Sequence, residues 1–112
     1  RVSGRHLVGR RLPVLEDGSM TTPELRGDYC GPTTNYTGGV PSVFFLKPGS
    51  RDEDAPPSLR SVQHVSSPPH VFTECEDGSL QIRESIADHP RGSDVHDGWH
   101  GYLDCGHSWR EV

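Results

Sequence analysis

Thirteen glycines and ten prolines, about a fifth of the 112 residues, are spread so that no window of 11 or more residues keeps a helical period. Glycine in a helix interior costs about 1 kcal/mol relative to alanine and proline about 3 kcal/mol, so this punctuation pushes the chain toward short strands joined by turns. With 30% hydrophobic residues, a chain of this length has material for one small core. No stretch approaches the roughly 18 consecutive apolar residues of a membrane helix, and no basic start leads into an apolar run of the secretory type. The expectation is a soluble, intracellular protein with no membrane partner. The net charge is −5, and ten arginines, against the single lysine Lys47, are scattered along the chain. Such a surface repels a phosphate backbone, and no nucleic-acid partner is expected.

The triplet Gly18-Ser19-Met20 reads as the junction between an expression leader and a cloned start at Met20. On that reading residues 1–19 are a leader or flexible arm and residues 20–112 a single small β domain. The first 19 residues carry a net charge of +2, which leaves −7 for the rest. The alternative is a natural basic arm whose Leu7, Val8, Leu12, Val14 and Leu15 dock on a partner.

Residues 21–39 are polar, broken by two prolines and several glycines, and read as a loop. The densest apolar run, Val43-Phe44-Phe45-Leu46, closed by Pro48-Gly49, reads as a buried strand. Residues 51–57 form a charged loop, and residues 59–65 return to an extended, β-branched pattern. Asp77-Gly78 between two alternating runs marks a hairpin. A two-residue turn there sets Cys75 against Leu80 and Thr73 against Ile82, with Cys75 in the core. Leu80, Ile82 and Ile86 share the core face, and Gln81, Arg83 and Ser85 face solvent. Residues 88–98 read as an exposed loop. A last hairpin turns at Asp104-Cys105-Gly106, with Gly106 in the left-handed position and Tyr102 close to Trp109 across the strands. The expected fold is all-β: a small antiparallel meander or sandwich-like sheet of about five or six strands with long Pro/Gly-rich loops. One turn of helix is expected at residues 23–26.

Three cysteines, Cys30, Cys75 and Cys105, cannot all close disulfides, and a reducing compartment fits that count. Cys75, His89, His96, His100, Cys105 and His107 crowd the last third of the chain, yet no Cys-x2-Cys pair gives them zinc-site spacing. No cofactor is expected; the alternative is a zinc-binding structural module on Cys75, His100, Cys105 and His107, in which the metal compensates for a small core. No Gly-x-Ser-x-Gly elbow is present. A second alternative is a Cys/His hydrolase using Cys105 with His100 or His107 as a thiolate–imidazolium pair. The carboxylate pairs Glu74/Glu76 and Asp94/Asp97 do not follow a calcium-loop pattern and read as solvated surface. Asn35-Tyr36-Thr37 matches a glycosylation acceptor only by form, and Gly38-Gly39 lacks the lysine and helix of a phosphate loop.

Ser67-Pro68-Pro69-His70-Val71-Phe72-Thr73-Glu74-Cys75, then Asp77-Gly78-Ser79-Leu80-Gln81-Ile82 with Ser85-Ile86, and finally Gly98-Trp99-His100-Gly101-Tyr102-Leu103 form a connected pattern. With the following Gly106-His107 and Trp109-Arg110, it resembles the C-terminal hairpin of small proteins encoded by actinobacterial phages and prophages. The excess of arginine over lysine suits a GC-rich genome of that kind. That family carries no agreed biochemical activity, and what the resemblance implies is a non-enzymatic β module. It would act through contacts with a virion or host protein, in the host cytoplasm or the virion, as a minor virion or assembly component or a host-interacting protein. The implied contact patch is the aromatic and histidine-rich end, Trp99, His100, Tyr102, His107 and Trp109, residue types favoured at protein contacts.

Overall fold

The computed structural model describes residues 6–48, 59–63, 70–88 and 99–111. These residues build an all-β fold of nine strands: β1 (His6–Val8), β2 (Arg11–Leu12), β3 (Tyr29–Thr33), β4 (Ser42–Leu46), β5 (Leu59–Gln63), β6 (Val71–Glu74), β7 (Leu80–Asp88), β8 (Trp99–Asp104) and β9 (Ser108–Glu111). One sheet is antiparallel in the order β1-β9-β8-β7-β6; the other runs β2-β3-β4-β5, with β2 parallel to β3. The six strands expected from the sequence are β4 to β9, and β1, β2 and β3 are additional. The expected loop at residues 51–57 and residues 89–98 of the one expected at 88–98, with His89, His96, Asp94 and Asp97, lie outside the described residues, while Asp88 ends β7 and is not loop.

A single core lies between the sheets. Tyr29, Val43, Phe45 and Val62 come from the four-stranded sheet, and Leu80, Ile82, Ile86, Leu103 and Trp109 from the five-stranded one, with Leu7 and Phe72 packed at its margin. Three aromatic rings join the six aliphatic side chains of this core. Trp109 meets Tyr29 edge-on at 6.0 Å and Phe45 at 5.1 Å between ring centroids, contacts that contribute about 0.5–1.5 kcal/mol each beyond their buried area.

Both C-terminal hairpins exist, but each turn holds one residue more than a two-residue turn would. In the first, Cys75 and Ser79 flank the turn, with Cys75 N donating to Ser79 O at 2.9 Å and Gly78 at a φ of 86°. The strand partners are therefore Glu74 with Leu80 and Phe72 with Ile82, not Thr73 with Ile82. A one-residue change of register exchanges the two faces of a strand, so Phe72 turns toward the core and Thr73 is exposed. Cys75, expected in the core, is carried to its rim. In the second hairpin Gly106 adopts the expected left-handed conformation at a φ of 82° and His107 follows at 58°. Leu103 pairs with Trp109 and Tyr102 with Arg110, which puts Tyr102 and Trp109 on opposite faces instead of side by side. Leu80, Ile82 and Ile86 share the core as the alternation implies; Glu84, between them, takes a φ of 66° where the β7–β8 register shifts.

Residues 21–39 are not simply a loop, because β3 runs through them with Tyr29 and Cys30 fully buried. Gly31-Pro32, joined by a cis bond, lies within a register shift against β4, and this irregularity hides the strand from any period-2 reading. The helical turn expected at residues 23–26 is instead a β-turn, Asp28 N donating to Leu25 O at 2.9 Å.

The described part of residues 1–19, read above as a leader or flexible arm, is built into both sheets. β1 extends the five-stranded sheet on β9, β2 extends the other sheet on β3, and Val14 bridges to Met20. Between β1 and β2 the backbone passes so close to the Leu25–Asp28 turn that a methyl group on Gly9 would lie 2.0 Å from Gly27 O. Arg10 then anchors the segment, its Nε and Nη2 donating to the Asp28 carboxylate at 2.9 and 2.7 Å.

Asp28, 1% exposed, also accepts the backbone N–H groups of Leu25 and Glu24 at 2.9 and 3.1 Å. The Arg10 hydrogen bonds first, and these backbone donors after them, hold its carboxyl below the ordinary 3.8. A carboxyl whose folded value is depressed stabilises the fold above its unfolded value and loses that contribution as pH falls through the folded one. Stability is expected to hold from neutral pH to about pH 4 and then decline, with a shallower acid slope in Asp28→Asn. Denaturant titrations from pH 7 to pH 2 check this; parallel slopes for the two proteins would remove Asp28 from the acid response.

Candidate functional site

The two sheets meet at an open cleft of about 620 Å³ lined by Arg11, Leu12, Pro13, Val14, Gly31, Pro32, Glu74, Gly78 and His107. The four-stranded sheet supplies one wall through β2 and β3, and the two hairpin turns of the other sheet supply the opposite wall. Its volume falls in the range of small-ligand sites.

Arg11 ties the walls together. Its Nη1 and Nη2 donate to the two Glu74 carboxylate oxygens at 2.6 and 2.7 Å, and the same nitrogens reach Gly78 O at 3.2 Å and Gly31 O at 2.9 Å. The fork geometry of guanidinium suits this bidentate pairing. The hydrogen bonds of the pair raise the Arg11 pKa and lower that of Glu74.

Across the cleft the His107 ring is set by a buried hydroxyl. Tyr29 OH accepts the Leu80 backbone N–H at 3.1 Å and lies 2.7 Å from His107 Nδ1. A phenol has one proton to donate, and no other acceptor among the described residues meets this hydroxyl, so the arrangement that satisfies both groups has the hydroxyl donating to Nδ1. In that arrangement the ring proton sits on Nε2, which makes no hydrogen bond among the described residues. Burial pushes the Tyr29 pKa up, which keeps the phenol a donor. The cleft thus sets the His107 ring, held by the Tyr29 hydroxyl, beside a charge-compensated Arg–Glu pair and an aliphatic wall.

The two turns forming this wall are joined covalently. Cys75 and Cys105 form a disulfide with a Cα–Cα distance of 5.9 Å. Ser79 Oγ adds a second link, accepting Gly106 N–H at 2.7 Å while donating to Asp77 Oδ1. The expectation of unpaired thiols in a reducing compartment is corrected: an odd count forbids pairing of all three cysteines, not of two, and disulfides persist mainly in oxidising surroundings. Cys30 is the free one, buried and donating to Pro13 O at 3.3 Å, with its thiol pKa pushed up by burial.

This bond overturns both chemical alternatives. Neither Cys75 nor Cys105 is available as a thiolate, so the zinc module on Cys75, His100, Cys105 and His107 loses half its ligands. The Cys105 nucleophile of a Cys/His hydrolase, with either His100 or His107, is likewise absent. No group of three metal-ligating side chains is gathered among the described residues.

The anticipated contact patch does not form one surface. Trp109 is 1% exposed and donates its Nε1–H to Gly27 O at 2.7 Å, a core anchor and not a contact residue. His107 belongs to the cleft. His100 and Tyr102 alternate with the buried Gly101 and Leu103 and so lie on the outer face of β8, half-buried. Trp99 begins that strand opposite Asp88. On the outer face the Arg110 guanidinium sits 4.3 Å from the Tyr102 ring centroid and donates to Asp104 at 2.9 Å. Sequence reasoning missed Arg11, Tyr29 and Glu74, which lie in a presumed leader, a presumed loop and a presumed solvated acidic pair. Comparison with protein-family models, with curated proteins and with solved structures gave no match.

Proposed function

We propose that the protein is a non-enzymatic, phage-type β module that acts through protein contacts, as a minor virion or assembly component or as a host-interacting protein. The observation that carries this reading is the outer face of the five-stranded sheet, where Tyr102 lies under the Arg110 guanidinium with Asp104 beside it. On the same face Val8 is 70% exposed, paired with Ser108, which in turn pairs with Asp104. Tyrosine and arginine on a rigid sheet are the residue types that dominate contact energies, because they present large area at small entropic cost. The resemblance of the C-terminal hairpin to actinobacterial phage proteins supplies the biological setting. The disulfide favours the virion over the host cytoplasm, where thiol pools keep cysteines reduced. No described helix is long and apolar enough to cross a membrane.

The test uses the tagged full chain and a Tyr102→Ala/Arg110→Ala variant, each incubated with purified virion proteins and with actinobacterial host lysate. The expected result is a protein held by the parent chain and at least about tenfold less by the variant, the loss of a contact worth about 1.4 kcal/mol. Unchanged near-UV circular dichroism must accompany it. Equal retention by the two chains, or none by either, would overturn the reading.

A further inference from the structure

The cleft between the sheets is chemically one-sided in a way that selects a ligand. Its guanidinium is largely committed: both Arg11 terminal nitrogens are already bonded to Glu74 and to the Gly78 and Gly31 carbonyls. Glu74 is mostly exposed and adds negative charge of its own. Among the described lining residues Arg11 is the one permanent cation, and with its terminal nitrogens committed it has little left to offer a carboxylate or phosphate. Among the described lining residues the polar side chain left over is the His107 ring, whose Nε2, with Nδ1 taken by the Tyr29 hydroxyl, is left to donate to an oxygen acceptor. Beside it Leu12, Pro13 and Val14 offer aliphatic surface, and the Pro13 carbonyl is already occupied by Thr21 Oγ1 and Cys30 Sγ.

We propose that this cleft docks an extended, uncharged peptide segment of a protein partner, a main-chain carbonyl accepting from His107 Nε2–H and an aliphatic or proline side chain lying on Leu12, Pro13 and Val14. The inference rests on the protein-contact function and gives that function a second, chemically defined surface. A peptide suits the cleft because it combines a neutral carbonyl with apolar side chains, and its volume is that of a few residues.

The probe is a set of capped tetrapeptides, N-acetylated and C-amidated, that carry proline with leucine or valine, titrated into the full chain with backbone and imidazole 15N spectra as the readout. Sodium acetate and inorganic phosphate serve as anionic controls. Saturable shifts at Gly31, Gly78 and the His107 Nε2–H, with affinity for at least one peptide above that for either anion, are expected. Affinity should fall at least about tenfold in His107→Asn, which tolerates the left-handed backbone but cannot place a donor at Nε2. It should fall similarly in Val14→Glu, a surface change that leaves the core untouched and sets a like charge in the cleft of Glu74. Absence of saturable shifts with every peptide, tighter binding of acetate or phosphate, or unchanged affinity in both variants overturns the proposal. If peptides fail while a partner is still lost with Tyr102 and Arg110, only the cleft assignment falls. Peptide binding without any such partner would instead remove the outer-face reading.

Discussion

A chain shortened to start at Met20 is expected to lose cooperative folding. The cut removes β1 and β2, and with them three backbone-paired positions on β9 and two on β3. It takes away Leu7 from the core margin, the Gly9 N–H bond to His107 O at 2.8 Å and the Tyr29 N–H bond to Arg10 O at 2.9 Å. Asp28 loses its guanidinium partner, and the walls of the cleft lose Arg11, the side chain that joins them. Partial burial of one leucine contributes about 1–2 kcal/mol and each lost hydrogen bond about 0.5–1.5 kcal/mol. The combined loss of about 5 kcal/mol or more matches the whole stability of many small domains. Dispersed amide spectra and a sharp denaturant transition from the full chain, with neither from the shortened one, are the expected pair of results. A shortened chain that melts like the full one would restore the view of residues 1–19 as a dispensable leader.

Breaking the Cys75–Cys105 disulfide should produce the second large effect. The bond closes a loop of 30 residues between two hairpin turns. Restricting the unfolded chain over a loop of that length stabilises the native state by about 3–4 kcal/mol in the chain-entropy account. In a domain of this size that corresponds to a fall in melting temperature of about 10–20 °C. A Cys75→Ser/Cys105→Ser variant, and the parent chain in excess dithiol, should both show it in guanidinium titrations. The reduced protein should keep its native spectrum in water, because the turns remain joined by Gly106 N–H to Ser79 Oγ and by the Tyr29 hydroxyl between Leu80 and His107. A loss below about 1 kcal/mol would mean that these hydrogen bonds alone hold the turns together and that the unfolded chain is already compact.

The candidate site was much less legible than the fold. Its carriers are Arg11, Tyr29, Glu74 and His107, separated by up to 96 positions along the chain. None of them lies in a motif whose spacing reports the others. His107 stood out only as one member of an aromatic cluster that the structure divides between the core, the cleft and the outer face. The cysteines misled for a related reason: their count constrains which complete pairings exist, while the distance between two turns decides whether a particular pair forms.

The residues by themselves determined the all-β class, the six strands β4 to β9 and the core face of β7, since alternation, β-branching and Gly/Pro punctuation are local signals read over a few residues. Tertiary structure decided the remainder. The one extra residue in the first hairpin turn exchanged the faces of β6, and a one-residue shift of the second turn parted Tyr102 from Trp109, because register has period 2 and carries a local change along the whole strand. β1, β2 and β3 carry too little local pattern to be strands alone. They become strands because Tyr29 fills the space between the sheets and Arg10 and Arg11 find carboxylates 18 and 63 positions away.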